Sequence, residues 1–130
     1  MRNVLICLFL TPAAQAQAQE ALTTSTFQSY TEGRVFAFAY PGEAPYGTEH
    51  YLENRQVIWA AADGTCLRGK WFEADGQICF RYRDWPSLNC SYFFTHEDGM
   101  LVVPGENDDR THVASLTQTM LNNQCDPGMS

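Results

Sequence analysis

From residue 34 to residue 103 the chain alternates side chains of opposite character in short runs, and most runs end in Asp-Gly or another turn sequence. Period-two alternation places one set of side chains on each face of an extended strand, and Asp-Gly supplies the positive backbone angles of a tight hairpin. Residues 34–40 carry Phe36, Phe38 and Tyr40 at alternate positions, and 41–45 form a Pro/Gly-rich loop. Strands are expected next at 48–52 and 56–61, the second with Val57 and Trp59 on one face. After Asp63-Gly64, Leu67, Gly69 and Trp71 share one face of a strand over 66–72, and Cys66, Arg68 and Lys70 share the other. After Asp75-Gly76, Ile78, Phe80 and Tyr82 oppose Cys79, Arg81 and Arg83. A turn at 84–87, a strand over 90–95, a turn at Asp98-Gly99 and a strand over 100–103 complete the series.

No helix-length segment separates these runs, which excludes a parallel α/β sheet. The expected fold is mainly β: an antiparallel meander curling toward a small barrel or half-barrel, lipocalin-like at most. A short N-terminal helical turn precedes it. Thr24-Ser25 caps that turn, Phe27 and Tyr30 share its face, and Gly33 ends it. Residues 104–110 read as a polar loop. Residues 111–123 fit two patterns, since Val113, Leu116 and Met120 have helical spacing while 112–117 also alternates.

The two ends of the chain are different in character. Met1-Arg2, the apolar run 4–10 and the small-residue stretch Ala14-Gln15-Ala16-Gln17-Ala18 form the pattern of a secretory signal peptide over 1–18, cleaved after Ala16 or Ala18. The apolar run is too short to span a bilayer, and no transmembrane segment is expected in the mature chain. Residues 19–125 then make one domain and 126–130 a loose tail. Loss of Arg2 leaves seven basic residues against 15 acidic ones, a net charge of −8. That balance argues against nucleic acid, whose binders need basic surfaces, and against an anionic membrane. The expected location is periplasmic or secreted.

With Cys7 in the leader, Cys66, Cys79, Cys90 and Cys125 remain. In an exported chain they read as two disulfides, and no Cys-x-x-Cys or Cys-x-x-His spacing suggests zinc. A hairpin turning at Asp75-Gly76 sets Cys79 opposite Phe72 and leaves Cys66 roughly 20 Å further along, at about 3.3 Å per residue. The next hairpin brings Cys79 to Cys90. The expected pairs are therefore Cys79–Cys90 and Cys66–Cys125.

The string Gly33-Arg34, Tyr46-Gly47-x-Glu49-x-Tyr51-Leu52, Arg55-x-Val57-x-Trp59, Asp63-Gly64-x-Cys66-x-x-Gly69-x-Trp71, Gln77-Ile78-Cys79-Phe80-x-Tyr82 and Cys90 resembles a family of small exported proteins from alphaproteobacteria. The likeness spans roughly residues 27–101. It departs at Ser91, where that family often has Trp. The resemblance implies export and a β-rich disulfide fold, and it brings no catalytic residue.

Catalytic chemistry finds little support. His50, His96 and His112 are scattered, and Glu49 and His50 are neighbours in a strand and so face opposite ways. Ser87 and Ser91 lack a Gly-x-Ser-x-Gly elbow. The acidic stretch Glu106-Asn107-Asp108-Asp109 lacks the ligand spacing of a calcium loop and reads as a solvated turn. No cofactor and no metal site is expected.

Aromatic residues are abundant for so small a domain, and those not needed for a core are candidates for binding. Trp59, Trp71, Tyr82 and Trp85, with Arg68, Lys70, Arg81 and Arg83, are the candidate ligand or partner surface. The four cations gather on one face, where Glu53, Glu73 and Asp84 are expected as their cross-strand partners. The resulting expectation is an exported module that binds a protein partner or a small apolar ligand without catalysis. The alternatives are an inhibitor of a periplasmic cell-wall hydrolase, similar to lysozyme inhibitors, and, ranked last, a small hydrolase or metal-dependent enzyme.

Overall fold

The computed structural model describes residues 19–106, 108 and 110–125. The leader expected over 1–18 and the tail over 126–130 lie outside the described residues. Strands β1 (Val35–Ala39), β2 (Gly47–Tyr51), β3 (Gln56–Ala61), β4 (Cys66–Ala74), β5 (Gln77–Tyr82), β6 (Asn89–His96), β7 (Gly99–Pro104) and β8 (Ala114–Thr119) pair antiparallel in sequence order. β8 returns to β1, with Phe38 opposite Leu116, and closes the barrel. The half-barrel is thereby excluded, and the ambiguous segment 111–123 supplies the closing strand. No described helix is long and apolar enough to cross a membrane.

Local chemistry explains most boundaries. Asp75 and Gly76 both take positive φ, 51° and 76°, which suits the right-handed twist of the strands they join. The β6–β7 turn is Glu97-Asp98, one residue earlier than expected, with Glu97 at φ 51°. Gly99 belongs to β7 instead, because a Cβ there would run into the backbone carbonyl of Leu116 on β8.

Alternation fills the interior. Phe36, Phe38, Tyr51, Val57, Ile78, Phe80, Phe93, Val102 and Leu116 point inward and are buried together. Helix α1 (Thr24–Thr31) closes one end. Thr23 caps it by accepting a hydrogen bond from the Thr26 amide, and Phe27 drops into the barrel. The Phe27 ring meets Tyr51, Trp71 and Phe93 at centroid distances of 5.6, 5.0 and 4.8 Å. Burying a side chain of this size stabilises by about 1.5–3 kcal/mol.

Cys79 and Cys90 face each other across β5 and β6 and are joined, with Cα atoms 4.0 Å apart. Cys66 is joined to Cys125, 59 residues away. That second link holds a C-terminal strap on the outer face of β2 and β3. Asn123, fully buried, donates through Nδ2 to the Thr48 and Ile58 carbonyls at 3.1 Å each.

Candidate functional site

In an up-and-down barrel the connections alternate between the two ends. The β1–β2, β3–β4, β5–β6 and β7–β8 loops therefore all gather opposite α1. At this end the inward side chains do not fill the barrel. They leave an open-mouthed cavity of about 310 Å³ with walls of Phe38, Tyr46, Trp59, Phe80, Tyr82 and Trp85. Gly47 helps to make it, because a Cβ there would overlap the Trp59 indole. Trp59 instead lies across β2 and meets Phe38 edge to face at 5.3 Å. Tyr40 stacks on Tyr46 at 4.7 Å and braces the rim.

Two polar systems enter this aromatic wall. The first is Glu49, the central residue of β2, set between Phe36 of β1 and Trp59 of β3. It is buried, and its Oε1 accepts a hydrogen bond from the Tyr82 hydroxyl at 2.6 Å. Its Oε2 is buried without a hydrogen-bond partner among the described residues, as is Oδ1 of Asn89 on the same cavity wall. Burial pushes the Glu49 carboxyl up to about 8. The Tyr82 hydrogen bond and the charge of Arg110 pull it back only in part. Burial and the neighbouring Glu49 push the Tyr51 and Tyr82 phenols upward as well.

The second system is an ion pair at the rim. Arg110 donates from Nη2 to Asp108 Oδ2 at 2.7 Å and from Nε to Asp108 Oδ1 at 3.0 Å. It also donates to Ser91 Oγ at 2.7 Å and to the Tyr46 hydroxyl at 3.4 Å. Ser91 donates in turn to Asp108. Burial opposes the Asp108 charge, but Arg110 and Ser91 outweigh it and hold the carboxyl below its usual range. Burial likewise opposes the Arg110 charge, and Asp108 more than restores it. Asp108 is thus a buried ion-pair partner, which corrects the expectation of a solvated turn at that residue, while Glu106 is exposed. The loop folds inward because Arg110 carries the carboxylate's partner charge two residues on.

No family model, no curated protein and no solved structure matches the chain.

The candidate residues chosen from sequence separate into three places. Trp59, Tyr82 and Trp85 line the cavity. Trp71 does not. It is buried at the closed end against Phe27, with Arg55 stacked over its ring at 4.7 Å, because its position on β4 lies beyond the cavity floor. Arg68, Lys70, Arg81 and Arg83 are exposed on the opposite face of β4 and β5, so a sheet's thickness separates them from the mouth. Among the described residues none of the four pairs with Glu53, Glu73 or Asp84, contrary to expectation. Arg68 bonds the Cys125 carbonyl at 3.2 Å, and Arg81 lies over Phe72. The acidic side chains sit at turns and strand ends rather than at the matching cross-strand positions.

Asn89 and Arg110 are not singled out by the sequence, and Glu49, Ser91 and Asp108 enter its reading only for catalysis or calcium, not for a binding site. Glu49 was findable, since it shares strand parity with Tyr51 and so must face inward. Neither His50, His96 nor His112 lines the cavity, and no described cluster of three or more His, Cys, Asp or Glu is placed to hold a metal.

Proposed function

We propose that this protein is an exported, non-catalytic binding barrel that holds a small, largely apolar ligand in the mouth opposite α1. The observation that carries the reading is the preformed cavity itself. It is walled by seven aromatic side chains, Phe93 together with the six named above, set in a closed barrel, and of a size in the range of small-molecule sites. At about 30 Å³ per water-sized group, it has room for on the order of ten non-hydrogen atoms. Export is supported by the leader pattern and by two disulfides, which persist in oxidising compartments.

The test is native mass spectrometry of the mature protein taken gently from its own cell envelope, together with titration of tryptophan fluorescence, to which Trp59 and Trp85 of the cavity wall contribute, by toluene, cyclohexane and cyclohexanol. The wild type is expected to retain a small adduct or to respond to at least one probe. The variant Ala61→Phe, which places a ring in the mouth, is expected to lose both signals. A bare mass together with no response to any probe would overturn the proposal.

A further inference from the structure

We infer that the ligand is an organic ammonium cation, with its charged head on Glu49 and its apolar body against the aromatic wall. This deepens the reading of the mouth as a small-ligand site and rests on it.

The cavity wall holds two acceptors that the fold leaves open, Glu49 Oε2 and the neutral Asn89 Oδ1, and only the first belongs to an ionisable group. Glu49 Oε1 is engaged by Tyr82, while Oε2 is buried and unpartnered. Buried polar atoms are nearly always satisfied, so an orphan carboxylate oxygen at a cavity wall marks where a donor belongs. Aromatic side chains from several strands and loops line the space beside it. Aromatic faces attract cations, and desolvation strengthens that attraction. A carboxylate and an aromatic box together therefore select positive charge over a neutral group of equal shape.

Of the other charged groups of the site, Asp63 is a second carboxylate and Arg110 does not offer a competing anion site. Four of the five donors of Arg110 are engaged, two by Asp108, one by Ser91 and one by Tyr46. An anion would have to displace Asp108, whose charge already offsets that of Arg110. The net charge of the chain is negative, which draws cations toward the mouth and repels anions.

The carboxyl must be ionised to hold the cation, so binding must expel a proton whenever Glu49 starts protonated. The groups facing Glu49 do not blur this dependence. Tyr82 of β5 and Tyr51 of β2 are pushed above the phenol range, and Arg110 stays charged. A primary alkylammonium ion can donate an N–H to Oε2 and keeps its charge through this pH range. Its affinity should therefore rise by about tenfold per pH unit below about 8 and level off above.

The experiment compares 2-phenylethylammonium with propylbenzene, the same shape with a methyl group in place of the charged amine. Binding is read from tryptophan fluorescence, to which Trp59 and Trp85 of the cavity wall contribute, between pH 6 and pH 9. The ammonium ion is expected to bind at least about tenfold more tightly than the hydrocarbon at pH 9. Its affinity is expected to climb with pH, and Glu49→Gln, which keeps the shape of the side chain, is expected to abolish both the climb and the preference. Equal binding of the two compounds, or an ammonium affinity independent of pH, would overturn the inference and leave the binding barrel standing. Failure of both compounds, with the smaller neutral probes also silent, would overturn the binding barrel itself.

Discussion

Glu49 is the residue on which the chemistry of the mouth turns, and its burial has a cost that can be read as stability. An unfolded Glu ionises near 4.5, whereas the folded carboxyl keeps its proton to about 8. Between those values the folded state binds the extra proton, so stability is fully present below pH 4.5 and is lost as the pH rises through 8. The shift is worth on the order of 4–5 kcal/mol. Urea unfolding midpoints should therefore be higher at pH 5 than at pH 8, and Glu49→Gln should flatten that difference. Asp108 acts in the opposite sense, because its lowered folded value makes its ion pair with Arg110 weaken only as the solution becomes strongly acidic. Glu49 was legible from alternation alone. The partnership of Asp108, Arg110 and Ser91 was not, because it joins a loop to the inner face of a strand far from it in sequence.

Helix α1 shows how a short element can matter more than its length suggests. Eight residues make a helix that would not be stable alone, and its anchoring comes from one ring inserted among three others. Phe27→Ala should cost about 3–5 kcal/mol in chemical denaturation. Cavity binding at the far end should be much less affected, which fluorescence titration of the same variant will show. The helical turn was readable from the spacing of Phe27 and Tyr30, but its cap is Thr23, one residue before the expected Thr24-Ser25, both of which lie within the helix. What it packs on was not. β8 was illegible for the complementary reason. Its inward residues, Ala114 and Leu116, are few, and its outward Ser115 and Thr117 are polar and uninformative. Only pairing with both β7 and β1 makes that segment a strand.

The whole molecule is a closed barrel with one plugged end, one open end and a strap along its side. Closure removes every exposed sheet edge and with it the main route to edge-to-edge aggregation. The two disulfides play different parts in this design. Cys79–Cys90 joins neighbouring strands 11 residues apart, while Cys66–Cys125 spans 59 and holds the strap that carries Asn123. On the chain-entropy model they are worth about 3 and about 4 kcal/mol respectively. The Cys66→Ala/Cys125→Ala double variant should therefore lose more stability than Cys79→Ala/Cys90→Ala, as measured by guanidinium unfolding.

The strands, their faces, most hairpin turns and the cysteine pairing follow from the amino-acid order, because each rests on local backbone geometry: a period of two, a turn that needs positive φ, a register counted from that turn. Closure of the sheet, the partnership of Asp108 and Arg110 with Ser91 and the separation of Trp71 and the four cations from the mouth depend instead on contacts between distant segments. Curvature accumulated over eight strands decides which inward side chains meet and which leave a space between them, and no single segment carries that information.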